Sequence, residues 1–143
     1  MKIGIAADHA GYKMKQYLIG VLKELGHEIR DFGTNSDEST DYPDYAHPLA
    51  SAVENGELEF GFALCGSGNG INITVNKHQG IRAALCWKVE IARLARSHNN
   101  ANICSIPALF VSEAEAKEIA QTFLSTPFEG GRHQRRIDKI PCS

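Results

Sequence analysis

The sequence lacks any run approaching the roughly 20 apolar residues that a membrane-spanning helix requires. Its amino-terminal stretch MKIGIAADHAGYK turns polar after about six residues, too soon for the apolar region of a secretory leader. Both absences point to a cytoplasmic protein with no membrane partner. Cysteine is sparse: Cys65, Cys86, Cys104 and Cys142 form neither a C-x-x-C pair nor a disulfide framework. Reduced thiols are therefore expected, and no metal site is expected from Cys65, His98 and Asp8. An excess of basic charge is missing too. Fifteen Lys and Arg against 17 Asp and Glu leave a net charge of −2, which argues against a nucleic-acid or anionic-membrane binder. Any anion must be recognised locally. No linker-like stretch or repeat divides the chain, so residues 1–143 are expected to form one domain, and 43% hydrophobic content suits a sizeable core.

What the chain does have is alternation. Ile3–Ala7, Glu28–Phe32, Phe60–Leu64, Ile81–Trp87 and Asn102–Ile106 read as five short strands. Helical patterns cover 11–25, 45–54, 70–77, 89–97 and 113–124. In the first helix Met14, Tyr17, Leu18, Val21, Leu22 and Leu25 share one face, and Gly26 closes it. In the last, Ala116, Ile119, Ala120, Phe123 and Leu124 point inward. The polar segment 33–44 reads as a loop. Such alternation predicts an α/β fold in which a five-stranded parallel sheet lies between helix layers, with ligands at the carboxyl ends of the strands.

That rule gathers Asp8-His9, after the first strand, and Cys65-Gly66-Ser67-Gly68-Asn69-Gly70, after the third. His98-Asn99 is the odd member. It precedes a strand and so stands at the amino end by simple counting. The glycines read G-x-G-x-G, one residue short of a dinucleotide fingerprint, and no G-K-[ST] completes a P-loop. A C-x5-R phosphatase loop would need arginine where Ile71 stands. What remains is a thiol beside backbone N–H groups leading into a helix, an arrangement suited to an oxyanion. Near the other end, Arg132, His133, Arg135 and Arg136 follow a glycine pair. On one short helix Arg132 and Arg136 share a face and suit a phosphate, although a solvated helix end would look the same.

Taken together, Asp8-His9, Asp41-Tyr42-Pro43, the Cys65–Gly70 loop, Asn76-Lys77, Gly80-Ile81-Arg82-Ala83, His98-Asn99 with Asn102, and Glu129-Gly130-Gly131-Arg132-His133-Gln134 with Arg136 resemble the ribose 5-phosphate isomerase B family. The resemblance covers nearly the whole chain. It implies a Rossmann-like sheet and aldose–ketose isomerisation of a sugar phosphate, ribose, allose or galactose phosphate, without metal or organic cofactor. It also implies a homodimer, or a tetramer built from it, with sites shared between subunits. By the same resemblance Cys65 is the base, Ser67 can move a proton between substrate oxygens, and His98 opens the sugar ring. Asp8, Tyr42 and Asn99 contact hydroxyls; the amides of Gly66, Gly68, Asn69 and Gly70 hold the enediolate; His9, Arg132 and Arg136 clamp the phosphate.

Two positions refine this picture. Some relatives carry a glutamate base at the register of Ile71, and this chain has Cys65 instead. Many have an arginine in a segment resembling P-A-R-F, where this chain reads Pro107-Ala108-Leu109-Phe110. A different class of function, a non-catalytic sugar-phosphate-binding module, would use the same fold. Such a module would need neither Cys65 nor His98.

Overall fold

A computed structural model describes residues 1–142. The described residues form five strands: β1 (Lys2–Ala7), β2 (Glu28–Asp31), β3 (Phe60–Cys65), β4 (Ala83–Leu85) and β5 (Ile103–Pro107). Six helices alternate with and follow them: α1 (Tyr12–Glu24), α2 (Pro43–Glu54), α3 (Asn69–Val75), α4 (Val89–Ser97), α5 (Glu113–Ser125) and α6 (Arg132–Ile137). The sheet is wholly parallel, in the order β2-β1-β3-β5-β4. Among the described residues no helix is long and apolar enough to cross a membrane.

Period-two alternation builds the layers. On β3, Phe60, Phe62 and Leu64 join the core under α1, α4 and α5. Ala63 and Cys65 face the second core, with Leu49 and Val53 of α2 and Ile71 and Val75 of α3. Buried on both faces, β3 is continuously apolar, as a central parallel strand must be. Gly26 ends α1 as expected. Its φ of +89° lets His27 N–H reach the Leu22 carbonyl while Gly26 N–H reaches Lys23, a Schellman turn.

The expected strand over 81–87 shrinks to β4. Ile81 is buried against the second core with its N–H on His78, and Arg82 N–H is taken by the Asn102 side chain, so the ladder begins only at Ala83. Leu25 also departs from the expected inward face: it is exposed in the closing turn. The helix expected from residue 45 begins earlier, at Pro43, whose missing N–H costs nothing in the first turn.

In this order β1 is followed in sequence by β2 on one side and by β3 on the other. The crevice at the carboxyl ends of β1 and β3 is thus the topological switch point, where open α/β sheets bind ligands.

Candidate active site

Cys65 is the last residue of β3 and 5% exposed, at that switch point. The loop after it is moulded onto the end of β5: Ala108 N–H bonds the Cys65 carbonyl and Leu109 N–H bonds Gly66. Gly68 has φ +76°, and a Cβ there would stand 2.5 Å from Leu85 Cδ1 and 3.1 Å from the Pro107 nitrogen. Only glycine lets the chain turn so close to β5 and enter α3. Ser67 Oγ accepts Asn69 N–H at 3.2 Å, which leaves its hydroxyl hydrogen free to donate outward. Gly70 opens α3 beneath Tyr42, where a Cβ would lie 2.5 Å from the phenol ring. Tyr42 thus stands over the helix start whose first-turn N–H groups have no intrahelical acceptor.

Across the crevice, Asp8 follows β1. Its Oδ1 accepts Ala10 and Gly11 N–H at 3.0 and 3.2 Å, capping a short 3-10 turn. Oδ2 makes no hydrogen bond to the described residues. His9 Nδ1 accepts Thr40 N–H at 3.2 Å, so a neutral ring carries its proton on Nε2. Asp8, His9, Thr40 and Tyr42 line one open cavity. These contacts tie the 33–42 loop to the switch point, and Thr40 Oγ1 bonds Tyr45 at 2.8 Å to anchor it on α2.

The remaining predicted residues sit at the other end of the sheet. His98 caps α4, and the turn that follows leads through Asn102 into β5. Asn102 accepts Gly61 N–H at the start of β3, four residues before Cys65, or about 13 Å of strand. Two arginines hold this turn. Buried Arg96 donates to Asn100 Oδ1 and the Ala101 carbonyl at 2.9 and 2.7 Å, and Arg82 donates to the carbonyls of Asn99 and Asn100. Burial lowers the Arg96 pKa while Glu59 opposes that shift. Glu129 N–H bonds Ser97, which docks α6 beside His98, with Arg132 and Arg136 exposed on it. Within one chain the Cys65 crevice and the His98–Asn99–Arg132–Arg136 group are therefore separate.

Two residues here carry no role in the sequence reading. His133 stacks on His98 at 4.1 Å between ring centroids, 15° from parallel. Burial, reinforced by His98 and Arg132, holds its imidazole below the usual range, against the pull of Glu129. Glu129 Oε1 and Oε2 lie 3.4 Å from His133 Nε2 and 3.9 Å from His98 Nε2. The signal for both was the Glu129-Gly130-Gly131-Arg132-His133 run, in which two left-handed glycines fold Glu129 and His133 back onto one side.

Comparison with known proteins places the chain as a whole. The family model for ribose/galactose isomerases matches residues 3–140. The chain belongs to the ribose/galactose isomerase family. It is 42% identical to ribose-5-phosphate isomerase B of Escherichia coli K12, over 97% of this chain and 93% of that one. Among solved structures, a ribose 5-phosphate isomerase of Thermotoga maritima is 51% identical with a TM-score of 0.96, covering 97% of this chain and 96% of that one. Ribose-5-phosphate isomerase B of Mycoplasma genitalium, solved with bound ribulose-5-phosphate, is 42% identical with a TM-score of 0.93, over 97% and 93%. The α/β sheet is thus the sheet of this isomerase family.

Proposed function

We propose that this chain interconverts ribose 5-phosphate and ribulose 5-phosphate, with Cys65 as the base. The observation that carries the reading is the place of Cys65: a thiol at the switch point, at the foot of a glycine loop, in a chain matched end to end by isomerases of this substrate. The Cys65 thiolate takes the proton from C2 of the open aldose. The electron pair moves into the C1–C2 bond, and the aldehyde oxygen becomes part of an enediolate. The amides of Gly66, Gly68, Asn69 and Gly70 stabilise that oxygen, where a single donor contributes on the order of 3 kcal/mol. Ser67 passes a proton between the two oxygens, and Cys65 returns its proton to C1 to give the ketose.

The other residues bind and open the sugar. Asp8 Oδ2 and the Tyr42 phenol face its hydroxyls, and the proton on His9 Nε2 donates to phosphate. His98 opens the ring, beside Asn99, and Arg132 and Arg136 complete the phosphate clamp. Because these four stand apart from Cys65 in one chain, each site combines the crevice of one subunit with the His98 end of another. The exposed apolar side chains of Trp87 and Phe110, beyond the carboxyl ends of β4 and β5, offer a surface for that pairing. We further place this metabolic activity in the cytoplasm.

The test is turnover of ribose 5-phosphate, allose 6-phosphate and galactose 6-phosphate by the purified chain. Isomerisation strongest with the pentose is expected. Binding of all three with turnover of none would favour a non-catalytic sugar-phosphate module.

A further inference from the structure

His98, Glu129 and His133 come together from two distant parts of the chain, the end of α4 and the start of α6. One ligand atom from each lies within 4.8 Å of the other two. Around a four-coordinate ion with bonds of about 2.0–2.2 Å, ligand atoms stand roughly 3.3–3.6 Å apart. Glu129 Oε1 stands 3.4 Å from His133 Nε2, already that value, and the other carboxylate oxygen, Oε2, stands 3.9 Å from His98 Nε2, slightly open. A second observation is independent of this spacing. His133 is 6% exposed, and its Nε2, which faces Glu129, is a buried nitrogen with no hydrogen-bond partner among the described residues. A buried polar atom left unpaired costs about 1–3 kcal/mol, so such an atom among these three side chains calls for an occupant.

We infer that His98, Glu129 and His133 form a binding site for a borderline divalent cation such as Zn²⁺. Two imidazoles and a carboxylate suit zinc, cobalt or nickel rather than magnesium or calcium, which prefer oxygen alone. The stacked rings cannot both aim a lone pair at one ion without tilting. His133 is fixed by burial, whereas His98, with 38% of its side chain exposed, is free to swing, and Glu129 at 55% is free to follow. Arg132 and Arg136 on α6 oppose a cation, and the Glu129 charge offsets part of that repulsion. The ion is not a cofactor. It occupies the lone pair of His98, so bound zinc and ring opening exclude one another, a consequence that rests on the role given to His98 above.

Titration of the purified, metal-stripped full chain with Zn²⁺ and Co²⁺, without sugar, tests the site separately from turnover. Loss of even an outer partner costs a metal site about 10–100-fold in affinity. Glu129→Gln and His133→Asn are each expected to weaken zinc binding at least about tenfold, and Cys65→Ser to leave it unchanged. The cobalt complex is expected to show weak visible bands without thiolate-to-metal charge transfer. If His133→Asn fails to fold, Glu129→Gln, at an exposed position, decides alone. Thiolate charge transfer abolished by Cys65→Ser, affinity unchanged in Glu129→Gln, or no saturable binding to the wild-type chain would each overturn the assignment.

Discussion

At the scale of single residues, the crevice separates groups that are built in from groups that are free to react. Among the described residues Cys65 makes no side-chain hydrogen bond, so its removal should spare the structure. Cys65→Ala is expected to lower solvent-deuterium exchange into ribose 5-phosphate by about 10²–10⁴-fold or more, the range for a general base. Melting temperature and inorganic phosphate affinity should stay near wild type; exchange at the wild-type rate would move the base elsewhere. Leu109 is legible in a different way. From sequence it marks a missing arginine, with its burial unknown. In the structure it is 70% exposed and its side chain flanks Gly66, so an arginine there would remain solvated beside the loop. Leu109→Arg should therefore fold normally and lower KM for a sugar phosphate with kcat little changed, the pattern of uniform binding. A charge-assisted hydrogen bond of about 1.5–3 kcal/mol sets the largest effect. An unchanged KM in a stable variant would show that the phosphate does not reach position 109.

At the scale of elements, legibility followed how much of each signal is local. Strands β1, β3 and β5 are short, largely apolar and buried runs and could be found by pattern alone. The shortness of β4 could not, because it depends on Asn102, twenty residues away, capturing the Arg82 N–H. The Cys65 loop was legible because its thiol and glycines stand together in sequence, although the contacts that require glycine at 68, with Leu85 and Pro107, are distant along the chain. The His98 turn was legible as a motif but not as a place, since its support comes from buried Arg96. That guanidinium lies 4.7 Å from the Phe60 ring and holds Asn100, whose φ is +47°. Replacing it by an apolar chain of similar length keeps the packing and deletes two bonds to the turn. Arg96→Met is expected to destabilise the chain by at least about 1.5–3 kcal/mol, the scale of a single charge-assisted hydrogen bond, since two are lost. It should also impair turnover of cyclic substrate more than of substrate supplied in the open form, because only the former needs His98. Chemical denaturation and paired assays on the two forms measure these effects, and equal losses on both forms would separate the turn from ring opening.

At the scale of the whole molecule, the parallel register fixes which groups one chain can bring together. Gly61 is opposite Ile103 and Cys65 opposite Pro107, so the crevice and the His98 turn mark opposite ends of the same central strands. No side-chain rotation spans about 13 Å of strand. A second chain does so if a two-fold axis places its His98 end over the first chain's crevice, and the same axis then builds two equal sites. Mixing two defective chains tests this pairing. A Cys65→Ala chain keeps its arginines, and an Arg132→Ala/Arg136→Ala chain keeps its thiol. In a mixed dimer with shared sites, one site receives both defects and the other receives neither. After unfolding and random re-pairing of equal amounts, half the dimers are mixed, and activity should recover to roughly a quarter of wild type. Each chain refolded alone should remain inactive. If the arginines instead serve the thiol of their own chain, every site in every dimer carries a defect, and the mixture will be as inactive as its components.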